Sequence, residues 1–169
     1  MAANVTEALA SYRAYAEPKD GLGDSPFKLG CSLSAPATDE EIESAWPESP
    51  PPAELVEAWS VSRESRLFED LDYGQWGLAL LSPTASAERT TQLRVQRPGD
   101  YRPDDVVIGA FIGDLELLVM APSEAGDRRV LVALPLDDRC DWYPVASSLA
   151  QFLEKYLYSS GAKYWESPM

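Results

Sequence analysis

Val106-Val107-Ile108-Gly109-Ala110-Phe111-Ile112-Gly113-Asp114-Leu115-Glu116-Leu117-Leu118-Val119-Met120 decides the fold class. Two runs rich in β-branched and aliphatic residues flank a Gly-Asp pair. This pattern marks a β-hairpin, because glycine and aspartate accept turn conformations that branched side chains resist. Gly109 marks a bulge and Gly113 the turn; with strands on both sides, the glycines lack the strand-loop-helix setting of a phosphate cradle. Downstream, Ser123 to Asp127 is a turn and Arg129 to Leu134 a third strand. Upstream, Leu67-Phe68, Tyr73, Trp76, Leu78, Leu80 and Leu81 read as extended segments running to a stop at Ser82-Pro83. Phe27 to Leu33 alternates as a short strand.

The helices lie on either side of these strands. Asn4 caps a first helix with Val5, Leu9 and Tyr12 on one face, and Lys19 to Pro26 follows as a loop. Thr38 and Glu41 form a capping-box start for a second helix, which Trp46-Pro47 ends. Pro50-Pro51-Pro52 opens a third, with Leu55, Val56 and Trp59 at one-turn spacing. Thr84 to Val95 fits neither period and is assigned a short helix followed by a loop, and Arg97 to Asp104 a turn cluster. Val145 to Tyr158 is an amphipathic helix with Val145, Leu149, Phe152, Leu153, Tyr156 and Leu157 inward, and the aromatic tail around Tyr164-Trp165 can dock on it. The sum is an α+β fold, a single domain with a mainly antiparallel sheet flanked by helices. Residues 1–26 form an N-terminal helix and loop and 27–169 the main domain, in one globular unit.

Composition narrows the function classes. The 169 residues carry a formal charge of −14, which opposes phosphate backbones and argues against nucleic acid as a partner. No run approaches the roughly 18 apolar residues of a membrane span, and no basic and apolar leader opens the chain, so a cytoplasmic protein is expected. Histidine is absent, which removes the imidazole base and the ordinary zinc ligand. Cys31 and Cys140 read as reduced thiols, with a single bridge between them as the alternative. The Asp137 to Asp141 run lacks the spacing of a calcium loop. No catalytic, metal or cofactor residue is expected.

Between Asp39 and Asp72 eleven carboxylates face two arginines. The expected site is therefore an acidic, aromatic-studded face that steers a basic protein toward it. Glu54, Glu57, Glu69, Asp70 and Asp72 supply the charge and Tyr73 the exposed anchor, whereas Trp76 and Trp142 go to the core. The competing account is acidity that serves solubility alone, with these side chains scattered around the domain.

The combination resembles the SUKH superfamily, whose founding members are a yeast cell-wall assembly regulator and many bacterial immunity proteins. The resemblance runs from about Phe27 to Trp165. It rests on Ala37-Thr38-Asp39-Glu40-Glu41-Ile42, Val61-Ser62, Leu67-Phe68-Glu69-Asp70, and above all Tyr73-Gly74-Gln75-Trp76-Gly77-Leu78 up to Leu81-Ser82-Pro83. Val107-Ile108-Gly109, Gly113-Asp114 and Tyr164-Trp165-Glu166 complete it. The chain departs from the family pattern at Ala45-Trp46, Ser49-Pro50-Pro51 and Arg63-Glu64. The resemblance implies one α+β domain with no enzymatic activity. It also implies an immunity protein that occludes a bacterial toxin, many such toxins being nucleases, or else a regulatory or scaffolding domain with an intracellular partner and no toxin. A small-ligand binder or enzyme with a pocket between sheet and helices is the third class.

Overall fold

The hairpin predicted from Val106 to Met120 is the centre of a seven-stranded antiparallel sheet. The computed structural model describes residues 4–22, 26–123 and 129–166. The strands are β1 (Leu29–Leu33), β2 (Ser65–Asp70), β3 (Leu78–Leu80), β4 (Val106–Phe111), β5 (Leu117–Met120), β6 (Val130–Ala133) and β7 (Tyr143–Ala146). Each pairs with its neighbours in chain order, so the protein is a single-domain α+β meander with three of its helices between strands, one before β1 and one after β7. The helices are α1 (Val5–Ala10), α2 (Asp39–Ala45), α3 (Ala53–Val61), α4 (Pro83–Gln96) and α5 (Leu149–Tyr158).

Alternation along the central strands sends side chains to two cores. Ile108, Leu118, Met120, Val130 and Val132 face one way and pack with Leu9, Trp59, Phe152 and Tyr156 from α1, α3 and α5. Val107, Leu117, Val119, Leu131 and Ala133 face the other way, toward Leu93, Tyr101 and Trp142. The N-terminal segment is part of this body: Val5, Leu9 and Tyr12 are buried, and the Tyr12 hydroxyl donates to the Leu153 carbonyl at 2.6 Å.

Gly109 sits at a register shift in the β4–β5 ladder, as its position in the run predicts. Gly113 has φ +94°, and a Cβ there would lie 2.2 Å from the Gln75 carbonyl oxygen. The Thr38 hydroxyl accepts from the Glu41 amide at 3.1 Å, and α2 ends before Trp46. The tail docks, with the Tyr164 hydroxyl donating to the Val145 carbonyl at 2.8 Å and Trp165 against Phe111.

Three expectations change. Ser82-Pro83 starts a helix instead of stopping the chain: the Ser82 hydroxyl accepts from the Ala85 amide at 3.2 Å and proline occupies the first turn. The resulting α4 has 14 residues, where the sequence pattern predicts a short helix and a loop. Its inward stripe, Pro83, Ser86, Thr90 and Leu93, is half polar, so hydrophobic periodicity does not display it. Ser86 donates to the Val107 carbonyl at 2.6 Å and Thr90 Oγ1 accepts from the Val107 amide at 2.9 Å, fixing the helix to the β4 backbone. Second, Val145 belongs to strand β7, and α5 begins only after Ser148, whose hydroxyl accepts from Gln151. Third, Tyr73 and Trp76 lie in the turn between β2 and β3. The expected turn over Ser123 to Asp127 falls, from residue 124 onward, outside the described residues, as do Gly23 and Asp24 of the expected N-terminal loop.

Candidate partner-binding edge

A meander places alternate connections at opposite ends of its sheet. At one end lie the helical connection from β1 to β2, the start of α4, and the junction from β7 to α5. At the other lie three short loops, residues 71–77, 112–116 and 134–142. The six residues predicted to form one acidic face are divided between these ends.

Glu54 and Glu57 belong to the helical end. Both oxygens of Glu54 accept from the start of α5, from Leu149 N at 3.0 Å and Ala150 N at 3.1 Å. Glu57 accepts from the Thr6 hydroxyl at 3.0 Å beside the start of α1. Free amides and a partial positive charge at a helix N-terminus hold a carboxylate well. These two side chains therefore join α3 to its neighbours.

Glu69, Asp70, Asp72 and Tyr73 belong to the loop end. Asp70 is buried, and its carboxylate accepts from three amides: Asp72 at 3.0 Å, Tyr73 at 3.1 Å and Gln75 at 3.1 Å. It organises the turn from within and has no free face for a partner. Glu69 pairs with Arg66 at 3.0 Å. Asp72 and Tyr73 point outward, with Tyr73 73% exposed. A β2 strand of six residues, on the order of 20 Å long, lies between this turn and the helical end. The two groups do not come alongside one another.

The other two loops carry features that the acidic stretch did not point to. At the β4–β5 tip, Lys163 from the tail pairs with Asp114, and with Glu116 at 3.0 Å, while its ammonium lies 5.3 Å from the Trp76 ring centre. Burial works against that charge, but the hydrogen bonds it donates to Asp114 and Glu116 outweigh this and raise the Lys163 pKa. In the third loop, Arg139 turns inward onto the fully buried Asp105, and Arg97 donates to the Leu134 carbonyl at 2.9 Å. Both guanidiniums lie over the Trp142 ring, at 5.6 Å for Arg97 and 5.4 Å for Arg139. The remainder of the Asp137 to Asp141 run faces solvent. The sequence signal available for Arg139 was its isolation among aspartates, which does not name the buried Asp105.

Away from this edge, a groove of about 360 Å³ runs between β1–β3 and the start of α4. Ser65 and Ser82 line it, and both hydroxyls are engaged within the protein, with Ser62 and the Ala85 amide. Cys31 is buried, accepts from the Phe68 amide at 3.2 Å, and has its thiol pushed up to about 11 by burial; Cys140 is exposed, and both are free thiols. Among the described residues no three carboxylate or thiol side chains gather as metal ligands, and no helix is long and apolar enough to cross a membrane. No family model matches the chain, and no curated protein matches it.

Proposed function

We propose that this chain is a non-enzymatic protein-binding module of the SUKH kind, acting in the cytoplasm. Its role is that of an immunity protein that covers the active or substrate-binding surface of a basic bacterial toxin domain, such as a nuclease. The observation that carries the proposal is the β2–β3 turn. There a buried carboxylate, Asp70, fixes the backbone, and its neighbours Asp72 and Tyr73 project into solvent. An aromatic anchor beside a charge on a rigid turn has the makeup of an interface hot spot, because little conformational entropy is lost when it is buried. The net charge of −14 adds steering toward a cationic partner.

The test is co-expression with the toxin domain encoded beside this chain. Growth should recover, a one-to-one complex should form, and Tyr73→Ala with Asp72→Lys should weaken protection. The absence of a toxin gene there, or of any complex, overturns the proposal. A complex without protection favours a regulatory or scaffolding role.

A further inference from the structure

We infer that the partner-contacting surface is a ridge across all three loops, with Leu71, Tyr73, Leu115 and Leu136 as its apolar points, and that its occupant is a basic polypeptide surface. This inference rests on the reading of the chain as a protein-binding module, but not on the partner being a toxin.

Topology makes the ridge. Loops 71–77, 112–116 and 134–142 follow β2, β4 and β6, so their tips stand two strand spacings apart, about 10 Å each, along an edge of roughly 20 Å. Six large hydrophobic side chains are exposed in the described structure, and these loops hold four: Leu71 at 53%, Tyr73 at 73%, Leu115 at 74% and Leu136 at 94%. A single exposed leucine is ordinary; four of the six in the loops at one end of the sheet are a concentration.

The loops are also held in place before any partner arrives. Asp70 fixes the first from within, Lys163 ties the second to the tail, and Arg97 and Arg139 tie the third to the chain beneath α4. Gly113 brings the second loop against Gln75 of the first, so the two form one surface. Apolar side chains on fixed loops lose little entropy on contact.

Charge selects the occupant. Asp72, Asp137, Asp138 and Asp141 are exposed along the edge, the three loops contain no lysine, and their one arginine, Arg139, is turned onto Asp105. Nucleic acid, an anionic membrane and a second copy of this acidic chain would all be repelled. A cationic polypeptide with apolar recesses is attracted by the rim and anchored by the leucines and the tyrosine.

The test uses a displayed library of random 12-residue peptides, which reach about 40 Å when extended, panned on the full chain. Enriched peptides should be net positive, contain aromatic or aliphatic residues, and weaken steeply with added salt. In fluorescence anisotropy their affinity should fall at least about tenfold for Tyr73→Ala. It should also fall severalfold for Leu115→Ser and for Leu136→Ser, each with an unchanged melting temperature. The ridge is overturned if no peptide is enriched, if those enriched are acidic or neutral, or if the Leu115→Ser and Leu136→Ser variants bind them as wild type does. Loss of the toxin role alone leaves these results standing. Full toxin protection by the Leu115→Ser/Leu136→Ser double variant would overturn the ridge and leave the toxin role intact.

Discussion

At the helical end of the sheet Glu54 turns its carboxylate onto the first amides of α5, whereas at the loop end Asp72 and Tyr73 turn their side chains to solvent. Both come from the same acidic stretch and carry similar chemistry. Their surroundings separate them. A helix start has unsatisfied N–H groups that draw in any carboxylate within reach. The β2–β3 turn has its amides satisfied by Asp70, so the next acid has no internal partner to meet. Glu54 is therefore drawn into the fold, while Asp72, with no such amide to meet, stays exposed.

The largest effect comes from alkali, which attacks the buried phenols on both faces of the sheet. Burial raises the phenols of Tyr12, Tyr156 and Tyr164, and pushes that of Tyr101 up to about 12. A phenol with a raised folded pKa stays protonated in the folded state while the unfolded chain loses its proton near pH 10. Stability is thus complete below about pH 10 and falls as the pH rises toward the folded values. Lys163, with its pKa also raised, acts in the same direction. Urea midpoints followed by far-UV circular dichroism should drop steeply above about pH 10. A midpoint that holds at pH 11.5 would contradict the burial described here.

The next effect attacks the loop end. Gly113→Val should cost about 3 kcal/mol, since the residue needs φ +94° and any Cβ meets the Gln75 carbonyl. Chemical denaturation measures it, and a cost under about 0.5 kcal/mol, the scale of an ordinary surface change, would show that the two loops are not in contact.

The smallest effects separate the two carboxylates themselves. Glu54→Ala should lose about 1–2 kcal/mol, as two amides at the start of α5 lose their acceptor. Asp72→Ala should stay within about 0.5 kcal/mol. Equal costs for the two would erase the division between the ends.

Where structure follows from neighbours close in the chain, the residues announced it. The Val106 to Met120 hairpin, the Thr38 cap, the bulge at Gly109 and the inward face of Leu149, Phe152, Leu153 and Tyr156 all appear, the hairpin with a loop over residues 112–116 that is longer than the Gly-Asp pair. Helix α4 was hard to recognise because its buried stripe hydrogen-bonds through Ser86 and Thr90 to a strand that follows it in sequence, so hydrophobic spacing does not record it. Hydrophobic spacing does not separate strand β7 from α5, because Val145 continues the apolar period of the helix, and only its pairing with β6 marks it as extended.

The exposure of Tyr73 is legible in the sequence because an acidic turn with glycine beside it seldom enters a core. The sequence by itself thus determined the class of the fold, most of its elements and the acidity of the chain. Which carboxylates reach partners far along the chain was decided by tertiary structure alone. Glu54 meets Leu149 across 95 positions, and Arg139 meets Asp105 across 34. A turn or a cap is settled by dihedral preferences and hydrogen bonds within a few residues. The partner of a charge depends on which distant backbone the packed core brings within about 3 Å.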